Sequence, residues 1–384
     1  MQKQLTSLLL ISALVACGGE AAPKPEPASD GTLTSQNGLK LSPIASGLEF
    51  PWGLAELPNG DLLVTEREGR LRYVQAGELR SEPVSGLPTD ILVAGQGGLL
   101  GIVLDPSFDT NRTLYLSYSK EMAESNTTAV IRATLNADAS ELENVTEIFS
   151  ATPRETAYHY GSRLAFLPDG SLLITLGDGY RYMEEAQTVS NLHGKIARIL
   201  PDGSLPEGNP SLDGAHPALW SYGHRNVQGL IYHPESGKVF AHEHGPKGGD
   251  EINIIEPGKN YGWPLITYGI NYDGSIITNE TEAPGLKQPV VKWVPSIAPS
   301  GMAVVVTPAF GDWQGDLLVG AMNGPRGLKL VRVDLDESGS VLGTEDLLED
   351  LEIAYRDVIS TPNGVYLATA DLDGMVYRLD PVTD

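Results

Sequence analysis

Residues 163–178 read RLAFLPDGSLLITLGD: an aliphatic run, a Pro-Asp-Gly turn centred on Pro168, then a second aliphatic run. Apolar residues flanking a Pro/Asp/Gly turn are what a β-hairpin requires. The same pattern occurs five more times. It is WGLAELPNGDLLVTE at 52–66, GIVLDPSFDTNRTLYLSYS at 101–119, GLIYHPESGKVFAHEH at 229–244, GMAVVVTPAFGDWQGDLLVGAM at 301–322 and DVISTPNGVYLATAD at 357–371. The turn prolines are Pro58, Pro106, Pro168, Pro234, Pro308 and Pro362. They lie about 50 to 75 residues apart, room for a four-stranded unit with insertions of varying length. Long stretches of helical periodicity are absent after the N-terminal apolar run. Six like units predict an all-β fold, a six-bladed β-propeller of four-stranded antiparallel blades, which leaves few sheet edges open. A large β-sandwich gives no reason for six like turns. Strand patterns at 40–45 and 375–379 lie at opposite chain ends, and a ring needs its ends to meet.

With 26 Lys and Arg against 50 Asp and Glu, the formal charge is −24. That excludes nucleic acid as a partner, whose phosphates need a basic surface. An anionic small molecule would need a locally positive pocket, which makes clustered arginines informative. The single cysteine, Cys17, allows no disulfide within the chain. It follows an apolar run too short to span a bilayer, ending Leu14-Val15-Ala16-Cys17-Gly18, which resembles the bacterial lipobox. This predicts a lipoprotein signal peptide over residues 1–16 and lipidation at Cys17. The protein would then sit on the periplasmic side of the envelope, at the outer membrane, touching the membrane through the anchor only. An ordinary cleaved signal is the alternative. Residues 17–37, rich in Pro, Ala, Glu and Ser, cannot bury a core and read as a flexible tether, leaving 38–384 for the propeller.

In a propeller the innermost strand of each blade lines the central channel, and the residues just before it crowd the axis. Those strands precede the turn prolines. Gln96 stands ten residues before its proline, His159 and Arg225 nine, Asn226 and Ser300 eight, and Arg356 six. Polar groups at comparable places in five blades predict one polar pocket at one end of the channel. Each has an ordinary alternative: loop arginines solvated or paired with Asp357, a satisfied loop histidine, a turn-capping Asp178. Two arginines near the axis of so acidic a chain nevertheless mark an anion site.

A neutral imidazole at His159 is suited to accept a proton near neutral pH. Asp178 comes nineteen residues later, at the far end of the next strand of the same hairpin. Antiparallel pairing returns it to the histidine, where a carboxylate fixes the tautomer and raises basicity. Base and orienter without a Ser or Cys nucleophile fit proton abstraction from a hydroxyl; oxidising an alcohol or hemiacetal would also need an electron acceptor. NAD does not fit, since no G-x-G-x-x-G opens a helix. A Walker sequence and a haem-attaching Cys-x-x-Cys-His are also missing. His242 and His244 share a strand face and would suit zinc, but no third ligand is evident.

Seven segments carry a resemblance: GQGGLLG (95–101), HYGSRLAF (159–166), LGDG (176–179), SYGHRNVQGL (221–230), EHGPKGGDEIN (243–253), NYGWP (260–264) and YRDVISTPNG (355–364). In this order they resemble the soluble quinoprotein aldose sugar dehydrogenases, the glucose/sorbosone dehydrogenase family, over about residues 47–379. The resemblance implies a six-bladed propeller that uses pyrroloquinoline quinone (PQQ) and Ca²⁺ to oxidise an aldose at C1 to the lactone. It implies His159 as the base that takes the C1 hydroxyl proton while hydride passes to the quinone, with Asp178 orienting it. Gln96, Arg225, Asn226 and Arg356 would surround PQQ. Gly245 and Pro246 would offer backbone carbonyls to Ca²⁺, a cation that takes oxygen ligands. Asp250 would act behind those ligands or toward substrate. Sugar and an unidentified electron acceptor are the implied partners.

Two positions depart from the family pattern. Asn323 stands about where the glucose dehydrogenase branch has a PQQ-binding lysine, with Arg326 and Lys329 nearby, and Ala354 replaces an arginine found in some relatives. These departures keep open two other readings: a non-catalytic carbohydrate-binding or assembly propeller, and a Ca²⁺-dependent lactonase propeller.

Overall fold

The computed structural model describes residues 29–323 and 327–382. Cys17, the apolar run before it, most of the tether and Arg326 lie outside the described residues. Six antiparallel sheets form the molecule. Their innermost strands are Pro51–Glu56, Leu99–Leu104, Leu164–Phe166, Val227–His233, Pro299–Val304 and Tyr355–Ser360. Each packs against the next, and the sixth returns to the first, closing the ring. The expected six-bladed propeller is the fold. Every turn proline follows an innermost strand closely, as the hairpin pattern requires.

The sixth blade is completed from the other end of the chain. Leu39–Leu48 pairs with Gly374–Pro381, aligning Leu41 with Leu379 and Ser42 with Arg378. A short strand, Leu33–Thr34, adds outside it through Leu33↔Leu41. The Ser35 hydroxyl donates to Asp350 at 2.6 Å. Residues 33–35, in the segment read as tether, are thus held by strand pairing and one aspartate.

Among the described residues the apolar interior falls into six wedges, one between each pair of neighbouring blades, and a small cluster of Trp52, Leu100 and Tyr160. Leu63 and Leu71 meet Leu114 and Ile131 between the first and second blades. Leu318 and Leu330 meet Leu367 and Leu379 between the fifth and sixth. Alternation along each strand sends apolar side chains to both faces, because both faces are covered by the next blade. At about 25 cal/mol per Å² of apolar area buried, these wedges carry most of the stabilisation. Along the axis polar groups mix with Trp52, Leu100 and Tyr160.

Candidate active site

Where the innermost strands begin, a cavity opens along the axis, about 720 Å³ counted out to open solvent. Phe50, Trp52, Arg67, Gln96, Asn226, Gln228, His244 and Arg356 line it.

His159, next in the chain to the cavity-lining Tyr160, has φ of 52°, a left-handed conformation uncommon for a non-glycine residue. Its backbone N–H donates to Gln96 Oε1 at 2.8 Å, linking second and third blades. Its Nδ1 lies 2.6 Å from Asp178 Oδ1. Asp178 also accepts from Trp263 Nε1 at 2.9 Å and from the Tyr180 N–H at 2.8 Å. Gly177 is required here: a Cβ would come within 2.0 Å of the His159 carbonyl oxygen. Burial lowers the His159 pKa, outweighing the Asp178 bond that raises it, and the Arg225 charge lowers it further. Burial works against ionisation of Asp178, yet the His159 bond and charge hold its pKa below the usual value. The pair thus rests as carboxylate and neutral imidazole, with the proton on Nδ1. Nε2 keeps a lone pair and no partner among the described residues.

The cations gather beside this pair. The Arg225 carbonyl accepts from the Asp178 N–H at 2.8 Å, joining third and fourth blades. Its guanidinium donates through Nη1 to the carbonyls of His244 (3.0 Å) and Gly245 (2.8 Å). Arg356 donates to Gln228 Oε1 at 2.8 Å and lies over Trp52, 4.3 Å from the ring centroid. Its Nε is buried without a partner. Burial, with the Arg163 charge next to it, pulls the Arg356 pKa well below its ordinary value. Arg163 is neutralised where Arg356 is not. It pairs with Asp357 at 2.8 Å and donates to the Gln228 carbonyl at 2.7 Å, plugging the channel beneath the cavity. Among the described residues, Arg67, Arg225 and Arg356 have no carboxylate partner. The buried guanidinium groups of Arg225 and Arg356, with half-buried Arg67, have no carboxylate partner in a chain of −24 and fit a bound polyanion.

The Gly245–Pro246 turn borders the cations. The Gly245 N–H donates to Asp250 Oδ1 at 2.9 Å. Asp250 Oδ2 accepts from the Ser296 hydroxyl (2.6 Å) and the N–H groups of Ile297 (2.8 Å) and Ala298 (2.9 Å). Asp250 stands behind the turn and fixes it against loop 296–298. Among the described residues no group of three or more His, Cys, Asp or Glu side chains has metal-ligand geometry. A hard cation here would rest on carbonyl oxygens, and Arg225 already occupies the one on Gly245.

Most of the expected groups meet. His159, Asp178, Gln96, Arg225, Asn226 and Arg356 converge, and Asn226 Oδ1 accepts from the Gly161 N–H at 3.2 Å. Ser300 does not face the cavity; its hydroxyl is buried against the Tyr355 carbonyl at 2.5 Å. Lys329 points away, to Asp346 at 2.6 Å, because its strand alternates it outward. Asn323 donates to the Ser296 carbonyl at 3.3 Å. His242 packs across Gly229, where a Cβ would fall 2.1 Å from Nε2, and His244 Nε2 donates to the Pro299 carbonyl at 2.7 Å. The two rings form no zinc site. Gln228, Arg67, Trp52 and Trp263 join the site without having been expected there. Gln228 follows Asn226 by two residues as the chain enters the strand Val227–His233, and its Nε2 donates to Asn226 Oδ1 at 3.3 Å. Arg67 closes the first hairpin and adds a cation that Asn323 lacks.

The sequence profile described as Glucose / Sorbosone dehydrogenase matches residues 48–378. The chain belongs to this family of oxidoreductases. It is 40% identical to the aldose sugar dehydrogenase YliI of Escherichia coli (strain K12), over 89% of this chain and 93% of that one. A solved glucose dehydrogenase superposes with a TM-score of 0.84 at 41% identity, covering 88% of this chain and 98% of that one. The PQQ-bound aldose sugar dehydrogenase of Streptomyces coelicolor superposes with a TM-score of 0.74 at 30% identity, covering 89% and 97%.

Proposed function

We propose that this chain oxidises aldose sugars at C1 to the lactone, using PQQ with Ca²⁺. The observation that carries the reading is the His159–Asp178 pair with Nε2 open, beside arginines that lack carboxylate partners. PQQ, when bound, accepts the hydride equivalent that leaves the sugar. The chain's own residues do the rest. Asp178 holds the proton on His159 Nδ1, which aims the Nε2 lone pair at the C1 hydroxyl as general base. Trp263 and the Tyr180 N–H donate to Asp178 and fix its orientation. Arg225, Arg356 and Arg67 would neutralise the cofactor's carboxylates, with Gln96, Asn226 and Gln228 bonding its polar edge. Ca²⁺ would take the carbonyls of Gly245 and Pro246, the former freed from Arg225, with Asp250 bracing the turn.

The test is reconstitution of purified apoprotein with PQQ and Ca²⁺, followed by dye reduction with a panel of aldoses. Turnover that requires PQQ is expected. No turnover and no change in quinone absorbance would reject the reading, and lactone hydrolysis without quinone would replace it with the lactonase reading. We also infer from the Leu14–Cys17 sequence that the enzyme is lipid-anchored at the periplasmic face and hands electrons to an acceptor there. Loss of membrane association in Cys17→Ala checks this.

A further inference from the structure

Two tyrosines beside the base have no structural task. Tyr158 is 47% exposed and Tyr180 50% exposed. Their rings touch, with centroids 5.9 Å apart and planes inclined at 49°. Tyr180 stands edge-on to the His159 imidazole, centroids 5.3 Å apart. Neither hydroxyl has a hydrogen-bond partner among the described residues. By contrast Tyr160 donates to Asn126 at 2.8 Å and Tyr261 to the Ile254 carbonyl at 2.7 Å.

The backbone around Tyr180 is held firmly. The Tyr180 N–H donates to Asp178, the Thr156 hydroxyl to the Gly179 carbonyl, and Tyr182 stacks on His193 at 5.0 Å with an 8° interplanar angle. Tyr180 also adopts φ of 68°, a conformation with an intrinsic cost for a bulky residue that collects at functional sites. Exposed apolar faces fixed beside a catalytic base mark a binding surface. A pyranose offers the matching chemistry: a C–H face for the rings and hydroxyl groups for the two free phenols.

We propose that Tyr158 and Tyr180 form the platform on which the substrate's pyranose ring rests while its C1 hydroxyl meets His159 Nε2. This rests on the aldose reading above. The platform sets affinity and the preference for sugars over small polyols, and leaves proton abstraction to His159.

The experiment pairs steady-state kinetics of the PQQ- and Ca²⁺-loaded enzyme with saturation-transfer NMR on 1,5-anhydroglucitol, a pyranose lacking the C1 hydroxyl. In Tyr158→Ala/Tyr180→Ala, KM for glucose should rise about tenfold with kcat within about twofold, and the NMR contact should vanish. Tyr→Phe at both positions should restore most of the stacking and the NMR signal. Unchanged KM and a persisting NMR contact in the alanine variant would overturn the platform while aldose oxidation stands. If the wild type oxidises no aldose yet the NMR contact depends on the two rings, the platform stands and the reaction assignment falls. A wild type that neither turns over nor contacts the sugar overturns both.

Discussion

The third and fourth blades each place a histidine nineteen residues before a carboxylate, and fold them into the same pair. His159 Nδ1 lies 2.6 Å from Asp178, and His224 Nδ1 lies 2.8 Å from Glu243. The second nitrogen separates them. His224 Nε2 meets the Ser221 hydroxyl at 2.9 Å, and the ring is stacked on Tyr261, centroids 4.6 Å apart, fully buried. Glu243 also accepts the Arg225 N–H at 2.5 Å. One pair is a tie between neighbouring segments; the other keeps a lone pair in reserve. A histidine–carboxylate pair becomes a base only where the fold withholds a partner from the far nitrogen.

The sharpest way to break this comparison is to delete each imidazole. His159→Ala should lower kcat by about 10²- to 10⁴-fold while the quinone spectrum of bound PQQ persists; retained turnover would remove His159 from the chemistry. His224→Ala should instead cost about 1–3 kcal/mol of stability, because Glu243 loses a buried donor. Its urea midpoint reports that, and a loss of kcat as large as that of His159→Ala would erase the distinction.

Acid should act on both function and folding. Burial keeps His159 below its ordinary pKa of 6.5, and holds His193 at about 4 and His244 at about 3. Below pH 6.5 the unfolded chain binds protons that these folded histidines refuse. Stability therefore falls as pH falls, by about 1.4 kcal/mol per pH unit for each such ring until its folded pKa is reached. Urea midpoints measured from pH 7 to 4.5 should decline, and a flat profile would show these rings to be charged when folded. The smallest effect is expected from Trp263→Phe, which removes one donor to Asp178 and should reduce kcat about three- to tenfold. An unchanged pH–rate profile in that variant would show that Trp263 does not tune the pair.

The ring and its mouth were legible because both depend on register. Proline turns mark each hairpin, and residues at like offsets converge once the ring closes. The roles proposed for His159, Asp178 and the arginines come from the resemblance of the seven segments. Side-chain direction was not legible from offset alone. Ser300 shares its offset with Asn226, and both hairpins carry a register shift at that end, yet the Ser300 hydroxyl turns to the Tyr355 carbonyl. Arg163 was read only as part of a motif, since its pairing with Asp357 joins blades nearly two hundred residues apart. Trp263 lies in an insertion with no repeat to compare it with.

Pairing Leu39–Leu48 with Gly374–Pro381 has a consequence for the order of events in the life of the chain. Arg356 belongs to the blade that this clasp completes, and the pocket it serves also draws on residues as early as Phe50. A nascent chain still missing its last few dozen residues has neither a closed circle nor a complete set of charges to grip a ligand. A ligand gripped by these charges would therefore be held only after Gly374–Pro381 has been made and paired.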